Sequence, residues 1–121
     1  MTQAAQAYGK VANQISNPRE LEADLLLTSA SQLQKIRDGW ETKHKELNAA
    51  LMHNRNLWSI LVTAVTKPDN PLPENVRQNV ANIGVFVLKQ TMATLADPRP
   101  ENLGSLISIN RELASGLLGR A

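Results

Sequence analysis

Leu47-Asn48-Ala49-Ala50-Leu51-Met52-His53-Asn54-Arg55-Asn56-Leu57-Trp58-Ser59-Ile60-Leu61-Val62-Thr63-Ala64-Val65 is the stretch on which the reading of the fold turns. Within it Leu47, Leu51, Asn54, Trp58, Leu61 and Val65 step by four, three, four, three and four positions. An α-helix turns once in about 3.6 residues, so such a row forms one continuous seam on one side of a helix. Ala50, Leu57 and Ala64 form a second row beside it and widen the apolar face. A helix is expected over about Lys43 to Thr66. Strands would need alternation with a period of two, bounded by turn residues, and no segment shows it.

The same period continues on both sides. Downstream, Lys67-Pro68-Asp69-Asn70-Pro71-Leu72-Pro73 breaks the chain. A fourth helix is expected over about Pro73 to Ala96, with Val76, Val80, Ile83 and Val87 on one row and Gly84, Leu88, Met92 and Leu95 on another. The run from Ile83 to Leu88 is rich in β-branched residues but lacks flanking turn signals, so it reads as helix. Asp97-Pro98-Arg99-Pro100 ends it. A last helix over about Glu101 to Leu118 uses Leu103, Ile107, Asn110, Ala114 and Leu117, with Gly119 as its stop.

Upstream, Asn17-Pro18-Arg19-Glu20 is a helix start, with a capping residue, a proline for the first turn and a glutamate for the capping box. That second helix runs to about Asp38, and Leu26, Ala30, Leu33, Ile36 or Arg37, and Trp40 mark its face. Ala4, Tyr8, Val11 and Ile15 mark a short first helix over about Thr2 to Ile15. The expected fold is all-α: a compact bundle of about five helices, with helices three and four long and central.

Composition narrows the possible functions. The 121 residues suffice for one domain with one core. The absence of cysteine excludes a disulfide scaffold, a thiolate zinc site and a thiol nucleophile. Thirteen basic and eleven acidic side chains give a net charge of +2, split evenly between the two halves. The densest basic stretch, Lys43-His44-Lys45, is flanked by Glu41 and Glu46. Nucleic-acid binders concentrate basic charge on a stripe or cluster, so nucleic acid is not expected as a direct primary partner. No signal peptide and no apolar run near the roughly 20 residues of a membrane span are present. A cytoplasmic location without membrane insertion is the expectation.

No constellation for catalysis stands out. His44 and His53 have no partner of ligand type four residues away on a helix, so no metal is expected. Glu20, Glu22 and Asp24 sit near a helix start, where acidic charge favours the helix dipole. Phosphate-binding glycine loops and nucleophile elbows are absent. The chain reads as a non-enzyme without catalytic residues or cofactor. Asn54 and Asn110 are the notable polar residues, each within an apolar seam and each within Asn-Arg-x-Leu. A buried amide without partners costs about 1–3 kcal/mol, so each needs one. They read as core polar groups that fix helix register, with a ligand contact as the other reading. Trp58 reads as a core anchor. Trp40, at a helix end among charges, reads equally as a cover for the core edge or as a partner contact.

The order of these features resembles the FlaF family of flagellar biosynthesis regulators. Ala50-Leu51-x-x-Asn54-Arg55-x-Leu57-Trp58 is similar to its central signature, Asn70-x-Leu72-Pro73 to its following loop, and Ile107-Ser108-Ile109-Asn110 with Gly116-Leu117 to its C-terminal signature. Pro18-Arg19-Glu20-Leu21-Glu22-Ala23 matches the early helix start, and Tyr8 an N-terminal aromatic. The resemblance spans the chain as one domain, 1–121. Phe86 departs from it, standing where many relatives carry Trp. The resemblance implies a cytoplasmic all-helical protein that motility depends on. Such a protein binds flagellin as a chaperone for type III export and promotes flagellin synthesis, in opposition to FlbT as a second partner.

The residues add a candidate partner surface. Helices three and four carry more apolar rows than one stripe requires, and Leu57, Ile60, Phe86, Leu88 and Met92, with Trp40, are the candidates for client contact. Burial of both rows within a five-helix arrangement is the competing reading. Two other functions stay open: a translation regulator acting on flagellin message directly or through FlbT, and a self-associating adaptor. For the former, Lys35, Arg37, Lys43 and Lys45 would converge around Trp40. The sequence leaves the oligomeric state open.

Overall fold

The computed structural model describes residues 18–119, and every regular element among them is helical. Helix α1 spans Pro18–Asp38 and α2 is the short Trp40–Lys43; after a 3-10 turn at His44–Glu46, α3 spans Leu47–Val65. Helix α4 spans Glu74–Ala96; a second 3-10 turn at Pro100–Leu103 leads into α5, Gly104–Leu117. Four long helices thus stand where the spacing predicts them. The expected first helix, with Tyr8, and the Asn17 cap lie outside the described residues.

Two boundaries move. The expected third helix begins at Leu47 instead of Lys43, because Gly39 ends α1 and the chain must turn through two short elements first. The last helix begins at Gly104, because Pro100 sets up a separate 3-10 turn that buries Leu103. At the other end Gly119 holds φ +73°, a left-handed conformation that favours glycine after a helix.

Packing follows from the seams. Helices α1 and α5 lie antiparallel, Leu26 meeting Asn110 and Arg37 lying near Gly104. Helix α3 returns along α1 and places Leu47, Leu51, Trp58 and Leu61 in the core. Helix α4 packs along α3 and against the second 3-10 turn, where Gln90 Nε2 donates to the Asn102 carbonyl at 3.1 Å. Helices α1 and α3 therefore form the middle of the bundle, and α4 lies at its side, not at its centre.

The buried row of α4 also differs from the expected one. It is Val80, Gly84, Val87, Thr91 and Thr94. The two threonines enter an apolar seam because each hydroxyl donates to the carbonyl four residues back, Val87 and Gln90, at 2.7 Å. Their methyl groups are then free to pack. Gly84 belongs to this row because α3 comes too close for a side chain. A Cβ there would collide with Val62 Cγ2 and lie 3.5 Å from the Trp58 ring.

Burial raises the Glu22 carboxyl above its ordinary value of 4.5, against a smaller lowering by Arg19. The folded chain thus holds this proton more readily than the unfolded chain does. The resulting stability is fully present below 4.5 and is lost as pH rises through the raised value. Glu22→Gln should flatten the urea-midpoint profile across that window and raise the midpoint at neutral pH. Profiles that superimpose for the two proteins would refute this.

Candidate functional site

The polar centre of the bundle joins three helices. Trp58 Nε1 donates to Asn110 Oδ1 at 2.9 Å, and Asn110 Nδ2 donates to Asn54 Oδ1 at 2.8 Å. Asn110 Nδ2 also reaches the Leu26 carbonyl at 3.4 Å, and Ser29 Oγ donates to Asn54 Oδ1 at 2.9 Å. Ser29, Asn54, Trp58 and Asn110 are all fully buried. The direction of each bond is dictated by the first. An indole N–H can only donate, so Asn110 must present its oxygen to Trp58 and its amide nitrogen to Asn54. Asn54 must then accept, which leaves its Nδ2 buried without a partner.

This chain of bonds acts on helix register. A shift of α5 by one residue along α1 would move Asn110 about 1.5 Å and rotate it by about 100°, breaking its bonds to Trp58, Asn54 and the Leu26 carbonyl at once. Sequence reading singled out Asn54, Asn110 and Trp58 but missed Ser29 and the Leu26 carbonyl. Ser29 had a signal: it falls beside Leu26, Ala30 and Leu33 on the apolar side of its helix.

The candidate partner residues do not form one patch. Leu57 is 7% exposed and belongs to the core, so it is not available as partner surface. Ile60 is 67% exposed, Phe86 45% and Met92 69%, while Leu88 is half-buried. Val62 faces Gly84 across the α3–α4 contact. Ile60, two residues from Val62, points away from α4; Phe86, two residues from Gly84, points away from α3. These two side chains stand on opposite sides of the helix pair. Leu88 and Met92 lie on a flank between them, with Val85, which is 52% exposed.

Helix α4 has an unusual composition for an outer helix. From Gln78 to Ala96 its only charged residue is Lys89. Interface centres are depleted of charge in this way. The entry to α4 is tied to the end of α3. Asn70 Nδ2 donates to the Ala64 carbonyl at 3.1 Å and Asn70 Oδ1 accepts from Leu72 N at 3.0 Å. Arg77 Nη1 donates to the Lys67 carbonyl at 3.0 Å. Arg77, Thr66, Gln78 and Ala81 help line an open pocket of about 240 Å³ beside this corner.

The basic candidates sit around α2. Lys35, Lys43 and Lys45 are exposed, while Arg37 donates to Gln34 Oε1 at 3.0 Å. The half-buried Trp40 packs on the edge of the core, with its ring 5.9 Å from that of His44. A depression of about 720 Å³ on the outer side of α1 is lined, among the described residues, by that helix alone, Asp24, Thr28 and Lys35 included. Among the described residues no three His, Asp or Glu side chains cluster as metal ligands, and no helix is long and apolar enough to cross a membrane.

A family model described as flagellar protein FlaF matches residues 4–117. No curated protein and no solved structure matches the chain.

Proposed function

We propose a function on the premise that this chain belongs to the FlaF family of flagellar proteins: it is a non-enzymatic, cytoplasmic chaperone of flagellin. In this reading it holds an amphipathic helix of the unassembled subunit until type III export. It thereby promotes flagellin production, with FlbT as the opposing regulator. The observation that carries the reading is α4. A side helix with one charge between Gln78 and Ala96, and with Val85 and Met92 exposed on one flank, offers the surface a helical client needs.

Calorimetric titration of the whole chain with monomeric flagellin tests it. Micromolar or tighter binding with a negative heat-capacity change is the expected result, because apolar surface is buried. Absence of heat at several temperatures, with the chain folded by circular dichroism, would overturn the reading.

A further inference from the structure

We infer that the outer groove between α3 and α4 is the docking site for a partner's amphipathic helix, one that carries acidic side chains beside its apolar seam. The inference rests on the chaperone reading and assigns that binding to one side of the molecule.

The groove follows from two rows of residues. The buried seam of α4 is Val80, Gly84, Val87, Thr91 and Thr94. One position further along, Ala81, Val85, Leu88, Met92 and Leu95 repeat the same spacing of four, three, four and three. A step of one residue turns a helix by about 100°, so this second seam flanks the first. Val85 and Met92 on it are exposed, and Ala81, Leu88 and Leu95 half-buried. On α3 the matching row is Met52, Arg55, Ser59, Val62 and Thr66. Val62 Cγ2 faces Gly84, and Thr66 and Ala81 share the pocket at the α3–α4 corner, so the two rows border one groove. From Ala81 to Leu95 it is about 21 Å long, room for four turns of a helix.

Charge selects the occupant. Arg55 and Lys89 are exposed along the groove, and Arg77 lines its corner pocket with Nε lacking a partner. Glu74 is the carboxylate at that corner. The apolar floor is thus bordered mainly by cations. A second copy of this chain would bring Arg55 and Lys89 against their own kind, and like charges across an interface oppose pairing. A helix with acidic flanks meets both the floor and its border.

The test uses the whole chain with monomeric flagellin. A photo-crosslinking side chain at position 85 or 92 should attach to an amphipathic helix of flagellin, whereas one at position 60 or 86 should not. Val85→Glu with Met92→Glu should weaken binding by about tenfold or more, while the urea midpoint stays near that of the unchanged chain. Arg55→Glu with Lys89→Glu should weaken it further at low salt than at high salt. Flagellin binding that survives these substitutions, with crosslinks from positions 60 or 86, would overturn the groove and leave the chaperone reading intact. No binding by the unchanged chain would overturn both. A dimer dispersed by Val85→Glu with Met92→Glu would give the groove to a second copy and also overturn the inference.

Discussion

Asn110→Ala is expected to destabilise the fold by about 3–4 kcal/mol, a large share of the stability of a small domain. The substitution removes the bonds to Trp58 Nε1, the Leu26 carbonyl and Asn54 Oδ1 together. The greatest loss falls on the indole N–H, which is fully buried and has no other partner to turn to. Desolvating such a donor without a bond costs about 1–3 kcal/mol, and the missing amide leaves a void as well. Asn54→Ala should cost less. It also removes the partnerless Nδ2, and the Ser29 hydroxyl it releases is free to bond a carbonyl of its own helix. Urea unfolding of both variants checks the order: a loss for Asn54→Ala equal to or above that for Asn110→Ala would contradict the assigned bond directions.

Gly84→Leu is expected to lower stability by about 3 kcal/mol, through the contact between α3 and α4. Alanine is the better helix former by about 1 kcal/mol, so Gly84→Ala alone sets propensity against packing. Packing should win. The new Cβ meets Cγ2 of Val62, a β-branched side chain with few rotamers to retreat into. Removing those methyl groups should reverse the sign. In a Val62→Ala background, Gly84→Ala should become neutral or stabilising, giving a coupling energy of about 1–2 kcal/mol in a double-mutant cycle. Additive losses would mean that the helices relax apart and that Gly84 does not set their spacing.

What could be read from sequence divides along physical lines. The seam from Leu47 to Val65 fixes α3 because its apolar letters match the burial position by position. On α4 the apolar letters misdirect. Val85, Phe86 and Met92 are apolar and exposed, whereas Thr91 and Thr94 are polar and buried. The threonines pack because their own helix satisfies them, which a hydropathy pattern does not record. Gly84 reads as a weak spot in a helix until the approach of Val62 is known. Asn54 and Asn110 announce a bond by standing in apolar seams, but the direction of each bond follows only from the position of the Trp58 indole. The partner surface was the least legible. Leu57, Ile60 and Phe86 are apolar for three different reasons, and only the placement of α3 against α4 separates them.

The bond between Asn110 and the Leu26 carbonyl joins positions 84 residues apart. The segment that closes the core is therefore synthesised well after the helix it closes upon. Until Asn110 has been made, Trp58 lacks its acceptor, and α1 and α3 meet without α5. Closure must wait until α5 has been made, and contacts of such sequence separation form late and slowly. A stop codon before position 110 would thus remove the element that closes this core, and the shortened product would be a substrate for proteolysis rather than a smaller version of the bundle.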